Sequence, residues 1–519
     1  MPPGSMAGSK ADGIAGRELA KLSLPLRFAL AFFPALLVYV RTAAPTVYAL
    51  DSAELTTAAY TGGLVRATGY PLYLLLGRIW SHLLPFGDVG YRMNLLSALC
   101  GALTLGLGAV LLGRLGVGGW ATFGALALLG GSYWFWALSL VAEVYTLHTL
   151  LIVALLLALL AWRRRGGNGT WFGLTFLFGL AMGNHMATGL LAPGCVAFVL
   201  MTRGREALRP RALAVAAGGL AAGLSIYLYL PWLAAQSPPF NYAGGYDADL
   251  RFHAADLSDP AELFRLATGR SFAPLMMGVS PRELALACGR LLADLWRACA
   301  GIGFLPAFLG LRVLSRRDRP LAIATTLFFF AHAAFFLSYR AADAETMFLP
   351  CNLVVALWMA FGLDEIFRRL QKAAESSPSR PTWSRAAFAG FVVLFVTAHI
   401  AWTESLVALS ADDSARRAGE AQFSRLMPGA LVLGTWTTVP ILQYLQIVEG
   451  RRSDVELINV LQISRQDLGR VIRREMGRRP VYVELPPDAV VLGVDFGRGG
   501  PLRRARASAR ELTSGANRR

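Results

Sequence analysis

The sequence contains few charged residues and almost no lysine. Charged residues make up 16% of the chain and hydrophobic residues 55%. Soluble domains average about 25% charged and roughly 45–50% apolar residues, so this composition excludes an ordinary soluble protein. Arginine carries the net charge of +17, because Lys10, Lys21 and Lys372 are the only lysines. The arginines form short clusters between apolar runs, which is typical of membrane topology signals and not of a nucleic-acid-binding surface.

Other absences limit the chemistry. The five cysteines lie in or beside predicted membrane spans, so we predict no disulfide framework; they are Cys100, Cys195, Cys288, Cys299 and Cys351. No spacing resembles a metal cluster, and a G-x-x-x-x-G-K-[ST] loop is absent, so neither structural zinc nor ATP use is indicated. We predict no cofactor, with a divalent metal left open. The first apolar run lacks a convincing cleavage site and is predicted to be retained.

Long uncharged runs predict an α-helical polytopic membrane protein. A helix needs about 20 apolar residues to cross a bilayer. The predicted spans are 24–47, 92–113, 119–138, 146–162, 170–183, 187–202, 212–234, 297–314, 320–338, 347–367 and 385–402. A twelfth apolar segment, 69–87, contains Arg78 and His82. We predict that this segment lies at the interface as a juxtamembrane helix, which leaves eleven spans.

The placement of arginine decides the orientation. If residues 69–87 do not cross, four arginine-rich turns lie on the cytoplasmic side together with the N-terminal tail, residues 1–23. These turns are residues 163–165, 203–211, 316–319 and 368–372. The positive-inside rule favours this topology. The first outer loop, 48–91, and the large outer loop, 235–283, are then extracytoplasmic.

From residue 403 onward the composition becomes that of a soluble domain. The predicted elements alternate: helix 411–426, strand 430–435, helix 438–449, strand 454–459, helix 464–476 and strand 480–486. Such alternation predicts a small α/β domain with a mainly parallel sheet over residues 403–500. This domain falls on the extracytoplasmic side. The basic segment 501–519 is predicted to be a disordered tail.

Two carboxylates open the first outer loop. Asp51 and Glu54 stand at i and i+3 in "LDSAELTTAAY", so on a helix they share one face. Carboxylates held at the boundary of water and hydrocarbon are there to pair, bind or catalyse. The alternative is a helix start, with Asp51 or Ser52 as N-cap and Glu54 favoured by the helix dipole. Both interpretations can hold together.

Further polar residues fall on the same predicted face. Glu143 lies in a turn rich in aromatic residues, where the alternative is a solvated glutamate in an interfacial aromatic belt. Asn184 and His185 lie in another outer turn. A lone histidine in such a turn also fits a purely structural hydrogen bond.

Arginines near this face indicate an anionic ligand. "FRLATGRSF" supplies Arg270, and "SYRAADAETMFLP" supplies Arg340 beside Asp343 and Glu345. A guanidinium group can hold a phosphate through paired hydrogen bonds. The alternative is a snorkelling arginine with a local salt bridge. Together, carboxylates and arginines at one membrane boundary suit a substrate with a phosphate head and a long apolar tail.

Several blocks resemble a known family. Residues 51–103, which begin "DSAELTTAAYTGGLVRATGYPLYLLLGRIW", resemble the start of the family that includes the animal transmembrane protein O-mannosyltransferases. These belong to the GT-C class of integral-membrane glycosyltransferases. Further blocks occur in the family's order: "FWALSLVAEVYTLHTL", "GLAMGNHMATGLL", "FRLATGRSF", "YRAADAETMFLPCNL" and residues 427–460. The resemblance implies a GT-C-like membrane domain over residues 24–402.

The resemblance also implies an activity. A monosaccharide, such as mannose, would move from a polyprenyl- or dolichyl-phosphate donor to an acceptor hydroxyl on protein or glycan. In the GT-C class an acidic residue of the first outer loop is the catalytic base, which corresponds to Asp51, with Glu54 as its partner. A His-Pro segment common in the family is replaced here by Arg66-Ala67-Thr68, so Arg66 is a candidate for a phosphate contact. The candidate substrate-binding residues are Arg66, Tyr70, Glu143, His185, Arg270, Arg340, Asp343 and Glu345.

The implied chemistry is a single displacement with inversion at the anomeric carbon. The arginine-rich composition favours a bacterial inner-membrane protein, with the active site outside the cytoplasm and no nucleic-acid partner. The alternative is a polytopic transporter or lipid flippase with an extracytoplasmic domain. Transporters commonly place charged groups near the bilayer midplane and show an internal repeat, and the sequence shows neither pattern. A receptor or scaffold is a third interpretation.

Overall fold

The computed structural model describes residues 22–340, 344–375, 383–484, 494–496 and 501–507. Its α-helices are Leu24–Thr42, Asp51–Thr61, Pro71–Leu83, Val89–Arg114, Gly119–Gly130, Tyr133–Ala137, Val144–Arg165, Gly167–Met182, Ala192–Ala207, Pro210–Leu224, Tyr229–Ala235, Pro260–Ala267, Pro281–Ala298, Phe304–Arg317, Arg319–Leu337, Leu349–Glu375, Trp383–Val407, Ser414–Arg425, Val439–Gln443 and Arg465–Met476. Short 3-10 helices are Met186–Leu191, Ser225–Leu228, Arg270–Leu275, Ala344–Phe348 and Val460–Gln462. Residues Tyr444–Val448 form a π-helix.

Seven short strands accompany these helices. They are β1 (Gly244–Tyr246), β2 (Phe252–Ala254), β3 (Leu431–Gly434), β4 (Glu456–Asn459), β5 (Val481–Val483), β6 (Val494–Phe496) and β7 (Arg503–Ala507). Strands β1 and β2 form an antiparallel hairpin in the large loop between the helical segments. The other five strands belong to the C-terminal domain.

Eight helical segments of the described residues are long and apolar enough to cross a membrane. They are Leu24–Thr42, Val89–Arg114, Tyr145–Arg165, Met186–Ala207, Pro210–Ala235, Arg319–Leu337, Ala344–Ala373 and Gly390–Val407. Each corresponds to a predicted span. The class predicted from the sequence, an α-helical polytopic membrane protein with a small C-terminal α/β domain, is confirmed.

The other three predicted spans are helical but short. Gly119–Gly130, Gly167–Met182 and Phe304–Arg317 contain 12, 16 and 14 residues. These lengths fall below the about 20 residues that cross a bilayer unaided. Full-length helices of the described residues therefore match eight of the eleven predicted spans, and the count of eleven stays a prediction. Hydropathy identified these helices correctly, but it could not show where each one ends.

The apolar segment 69–87 contains the 13-residue helix Pro71–Leu83. Proline in its first turn has no N–H to leave unpaired. At Gly77 an added Cβ would lie 2.7 Å from Met93 Cε and 3.0 Å from Ala59 Cβ, so glycine allows close packing there. This packing holds the first-loop helix Asp51–Thr61 in place. That Pro71–Leu83 lies at the membrane interface stays a prediction.

Three of the arginine-rich turns meet at one end of the helical bundle. Arg163 Nη1 lies 2.5 Å from Asp318 Oδ2. Arg203 Nε donates a hydrogen bond of 3.0 Å to the carbonyl oxygen of Arg163. The helix Val144–Arg165 has 22 residues and so spans about 33 Å. Its first residues therefore lie far from this end.

The C-terminal domain is built on a five-stranded sheet of order β4-β3-β5-β7-β6. Strand β3 pairs in parallel with β4 and β5, so that Val432 lies opposite Leu457 and Tyr482. Every residue of β3 is buried, as expected for a strand covered on both faces. Strands β3, β4 and β5 lie close to the three predicted strand ranges and are parallel, whereas β7 is antiparallel to β5 and β6.

The prediction of a disordered tail over residues 501–519 needs correction at its beginning. Arg503–Ala507 forms β7, with Arg504 opposite Tyr482 and Ala505 opposite Phe496. Ala505 is buried while Arg506 is exposed, and this alternation is typical of a half-buried strand. Residues 508–519 and 1–21 lie outside the described part of the chain.

Ion pairs and hydrogen bonds attach the C-terminal domain to the first loop. Arg416 donates to both oxygens of Glu449, at 2.6 and 2.8 Å, and lies 3.3 Å from Asp88 Oδ2. The Gly90 N–H donates to the Tyr444 hydroxyl at 3.2 Å. The C-terminal domain is therefore fixed directly over the residues that follow the first membrane helix.

Candidate functional site

The helix Asp51–Thr61 carries the two predicted carboxylates. Leu50 is its N-cap residue and makes no side-chain capping bond, and Asp51 is the first helical residue. The Ser52 hydroxyl accepts a hydrogen bond of 3.2 Å from the Ala142 N–H. Neither Asp51 nor Ser52 is therefore the N-cap of this helix. Both carboxylates are instead held by contacts outside the helix.

Arg66 joins the two carboxylates. Its Nη2 lies 2.5 Å from Asp51 Oδ2, and its Nη1 lies 2.8 Å from Glu54 Oε2. The Arg66 backbone N–H also donates to Glu54 Oε1 at 3.0 Å. The i, i+3 spacing brings both carboxylates within reach of one guanidinium fork. Asp51, Glu54 and Arg66 form what we call the ion triad.

Trp436 of the C-terminal domain contacts this ion triad. Its indole Nε1 donates to Asp51 Oδ1 at 2.9 Å. The guanidinium carbon of Arg66 lies 4.0 Å from the centroid of the indole ring. On another side the ring packs against Tyr242, with centroids 5.1 Å apart. Trp436 is absent from the predicted site residues, although it follows β3 at the carboxyl edge of a parallel sheet, where α/β domains commonly bind ligands.

Burial controls the electrostatics of the ion triad. The Glu54 side chain is 2% exposed, against 25% for Asp51 and 28% for Arg66. Burial raises the pKa of Glu54 to about 7, with Arg66 acting against the shift and Asp51 adding to it. Burial opposes the charge of Arg66, but Glu54 and Asp51 outweigh it and raise the pKa of the guanidinium. Arg66 is therefore ionised, while Glu54 exchanges its proton near neutral pH.

The raised pKa of Glu54 predicts a pH-dependent stability. A carboxyl with a higher pKa in the folded state stabilises the fold below its ordinary value of 4.5, and this contribution is lost as pH rises through about 7. In detergent, we expect the difference in Tm, wild type minus Glu54→Gln, to fall as the pH rises from 4.5 to about 7. Glu420→Gln, on the surface helix Ser414–Arg425, is the matched control. If the Tm of the wild type minus that of Glu54→Gln stays constant or increases with pH, the raised pKa of Glu54 is contradicted.

Tyr70 lies beside the ion triad. Burial raises the pKa of its hydroxyl, with Arg66 acting against the shift and the neighbouring carboxylates, Glu143 among them, adding to it. Its ring centroid lies 6.0 Å from that of His185. Arg66 and Tyr70 thus lie close to the carboxylate pair, and Glu143 and His185 are neighbours of Tyr70.

His185 lies among aromatic rings at the start of a short 3-10 helix. Its Nδ1 accepts a hydrogen bond of 3.2 Å from the Ala187 N–H. The rings of Tyr145 and His148 lie 5.7 and 5.1 Å away. Burial lowers the pKa of His185 to about 4, so the imidazole is neutral at neutral pH. Within the described residues, no group of His, Cys, Asp and Glu has the geometry to hold a metal ion.

Two of the remaining predicted residues, Arg340 and Glu345, make ion pairs elsewhere. Arg340 lies 3.5 Å from Glu283, and Glu345 lies 3.5 Å from Arg290. These pairs tie Arg340 and Glu345 to the helix Pro281–Ala298 and not to the ion triad. Asp343 lies outside the described residues.

A polar cavity of about 380 Å³ borders the ion triad. Arg66 and Ala67 line one side of it, and Glu262 and Arg265 line another. Residues 242–245, which end with the first two residues of strand β1, also line it, as do His253, Ala255, Leu266 and Ser271. The cavity therefore offers charged groups and main-chain atoms to a polar ligand.

A second cavity of about 400 Å³ lies on the other side of Ala67. Tyr70 and His185 contribute polar groups to it, together with Thr68, Thr268 and Tyr339. Its apolar lining comes largely from membrane-spanning segments and includes Met186, Leu190, Phe335, Phe336 and Met347. An apolar cavity between spans is suited to a hydrocarbon chain.

Two segments form the rim of this apolar cavity. The Met277 N–H donates to the Ser338 carbonyl at 3.0 Å, and the Arg340 N–H donates to the Leu275 carbonyl at 2.9 Å. These bonds join the segment after the 3-10 helix Arg270–Leu275 to the end of a membrane span. The exposed Arg270 and Arg340 therefore lie on connected segments at the same rim.

Sequence comparison identifies relatives of the first third of the chain. Residues 51–208 match the family model described as the protein O-mannosyl-transferase TMEM260 N-terminal domain. A protein O-mannosyl-transferase TMEM260 from Mus musculus is 38% identical over 109 residues, which are 21% of this chain and 15% of the mouse protein. One from Dictyostelium discoideum is 30% identical over 88 residues, or 17% and 11% of the two chains. The matches span less than a sixth of either relative's length.

Structure comparison extends over almost the whole chain. A crystal structure of ArnT from Cupriavidus metallidurans bound to undecaprenyl phosphate aligns with a TM-score of 0.57 at 13% identity. The alignment covers 92% of this chain and 96% of that one. The apo structure of the same protein gives a TM-score of 0.53 at 14% identity, with the same coverage. The predicted resemblance to GT-C, O-mannosyltransferase-like membrane proteins is confirmed.

Proposed function

We propose that this protein is a membrane glycosyltransferase that moves a monosaccharide from a polyprenyl-phosphate donor to an acceptor hydroxyl. The observation that carries the proposal is that Arg66 of the ion triad lines the polar cavity, while the adjacent Ala67 lines both the polar cavity and the apolar cavity. Such an arrangement fits a substrate that has an apolar tail and a polar head. It also fits a second, polar substrate that enters from the opposite side.

The apolar cavity is the proposed place for the donor's first prenyl units. Its lining of methionine, leucine and phenylalanine side chains favours hydrocarbon over water. The ArnT structure of the same fold was solved with undecaprenyl phosphate bound, which supports a lipid phosphate as the ligand class. Because Arg270 and Arg340 lie on the joined segments at the rim, they are the proposed contacts for the donor phosphate.

The proposed reaction is a single displacement. Asp51 accepts the proton of the acceptor hydroxyl while that oxygen attacks the anomeric carbon. The bond between the anomeric carbon and the phosphate oxygen breaks, and its electron pair leaves with the polyprenyl phosphate. Attack opposite the leaving group inverts the anomeric centre. The proton then passes from Asp51 to solvent.

Arg66 has two roles in the proposed reaction. It holds Asp51 and Glu54 in place, and because the adjacent Ala67 lines both cavities, its positive charge would lie near the departing phosphate. Positive charge placed in advance at such a point lowers the barrier, because no reorganisation is needed during the reaction. Tyr70 and His185 line the donor side and would orient the sugar phosphate.

The proposal also concerns the acceptor and the side of the membrane on which the site lies. The relatives named protein O-mannosyl-transferase favour a protein hydroxyl as acceptor and mannose as the sugar. The arginine-rich turns favour an extracytoplasmic site, because they meet at the opposite end of the bundle from Tyr70 and the ion triad. We place the protein in the bacterial inner membrane.

A panel of donors tests this function. Purified protein in detergent is incubated with polyprenyl-phosphate mannose, glucose and galactose, together with an acceptor mixture of serine- and threonine-containing peptides. We expect Asp51-dependent release of polyprenyl phosphate from one donor, with mannose transferred to peptide. Water-soluble sugar phosphates without the prenyl chain serve as the control and should react poorly. Donor movement across vesicle membranes without cleavage would favour the transporter and contradict the proposal.

A further inference from the structure

The loop that carries Trp436 is held rigidly by one carboxylate. Glu484, which follows β5, accepts a hydrogen bond of 2.7 Å from the Thr435 N–H. It also accepts from the hydroxyls of Thr437 and Thr438, at 2.8 and 3.0 Å. The loop between β3 and the helix Val439–Gln443 is therefore bound on both sides of Trp436. A side chain on such a loop has little freedom to move.

Residues that follow strands β3 and β4 also form hydrogen bonds with the large outer loop. The Tyr242 hydroxyl donates to Gln443 Oε1 at 2.5 Å. The Gln462 side-chain amide donates to the Asn241 carbonyl at 3.1 Å. Tyr242 in turn packs against the Trp436 ring. The position of the indole is thus fixed from the C-terminal domain and from the membrane domain together.

We propose that Trp436 is a positioning residue that locks the carboxylate of Asp51 in the orientation needed for proton abstraction. This inference rests on the function proposed for Asp51. The indole N–H holds Oδ1 while Arg66 holds Oδ2, so the carboxylate cannot rotate about its bond to Cβ. Each carboxylate oxygen has two lone-pair sites, so one site on Oδ1 stays available for an acceptor hydroxyl.

The Trp436 indole makes two separate contacts with the ion triad. Its edge donates a hydrogen bond to Asp51, and its face lies against the Arg66 guanidinium at 4.0 Å, within the range of a cation–π contact. A phenyl ring could keep the contact with Arg66 and Tyr242 but has no N–H. The substitution Trp436→Phe therefore removes the hydrogen bond while it retains much of the packing.

The test compares Trp436→Phe and Trp436→Ala with a surface control. We expect Trp436→Phe to lower kcat by about tenfold, because a base displaced by a fraction of an ångström loses its alignment. The KM for the polyprenyl-phosphate donor should stay within about twofold, since the donor cavity is not lined by this residue. Trp436→Ala should lower kcat further. Trp296→Phe alters an exposed indole on the helix Pro281–Ala298 and should change neither constant.

The outcomes separate this inference from the proposed function. Wild-type kcat in Trp436→Phe would overturn the positioning role, as would a rise in donor KM with unchanged kcat. If Trp436→Phe does not fold, Glu484→Gln tests the same role by loosening the loop, and it should lower kcat with little change in donor KM. An unchanged kcat in Glu484→Gln, with faster amide exchange at residues 435–438, would overturn the inference. Transfer that survives Asp51→Asn would instead overturn the proposed function.

Discussion

Replacement of Asp51 by asparagine should abolish sugar transfer and leave the fold intact. Asparagine has the same shape and its carbonyl oxygen can still accept the hydrogen bond from Trp436. It cannot take a proton from the acceptor hydroxyl, so we expect kcat to fall by about 10²–10⁴-fold. The measurement is release of polyprenyl phosphate from a radiolabelled donor. The gel-filtration profile should stay that of the wild type, while Tm should fall slightly, because the asparagine NH2 group cannot accept the hydrogen bond that Arg66 donates to Asp51 Oδ2.

Asp256→Asn is the matched control for this experiment. Asp256 is an exposed aspartate of the large loop that accepts a hydrogen bond from the Ser258 backbone N–H. The same chemical change at this position should leave transfer unchanged. If Asp51→Asn keeps more than about a tenth of wild-type kcat, a general base at this position is excluded.

Arg66→Met should have the largest effect on stability. Methionine preserves the length of the aliphatic chain but removes the charge that lies between Asp51 and Glu54. Glu54 is then 2% exposed and without its cation, and since its pKa is about 7 even beside Arg66, it takes up a proton at neutral pH, so the loss of stability should grow as the pH rises above about 7. We expect a clear fall in Tm, together with loss of transfer. Thermal unfolding in detergent and the transfer assay measure the two effects.

Two further variants show whether the cause is the unpaired carboxylate. Glu54→Gln in the Arg66→Met background should recover part of the lost stability at pH values well above 7, because there a buried neutral amide replaces a buried charge. Arg203→Met removes a more exposed arginine paired with Glu206, and such pairs contribute about 0–1 kcal/mol. Equal destabilisation by Arg66→Met and Arg203→Met would contradict the role assigned to the ion triad.

Local patterns predicted the parts of the site that are close in sequence. The spacing of Asp51 and Glu54 sufficed to place both on one helical face, since that depends only on 3.6 residues per turn. Arg66 was a candidate as well, because a basic residue replaces a family motif 12 positions after Glu54. The roles of all three residues stay predictions until transfer is measured.

Long-range contacts could not be predicted in the same way. Trp436 lies 385 residues after Asp51, and its contact depends on how the C-terminal domain docks onto the membrane domain. Hydropathy alone also overestimated the helices Gly119–Gly130 and Phe304–Arg317, because apolar turns beside a short helix have the same composition as the helix. The strand Arg503–Ala507 was missed because five residues rich in arginine carry too weak a pattern.

The contact between Asp51 and Trp436 also sets a condition on biosynthesis. A ribosome adds about 5–20 residues per second, so the 385 residues that separate the two side chains take roughly 20–80 seconds to make. During that interval the first helices are already inserted, but the carboxylate has no indole beside it. A nascent or prematurely terminated chain that ends before Trp436 would therefore hold an unfinished reaction centre. On the function and sidedness proposed here, full competence would require that the last domain has crossed the membrane and docked.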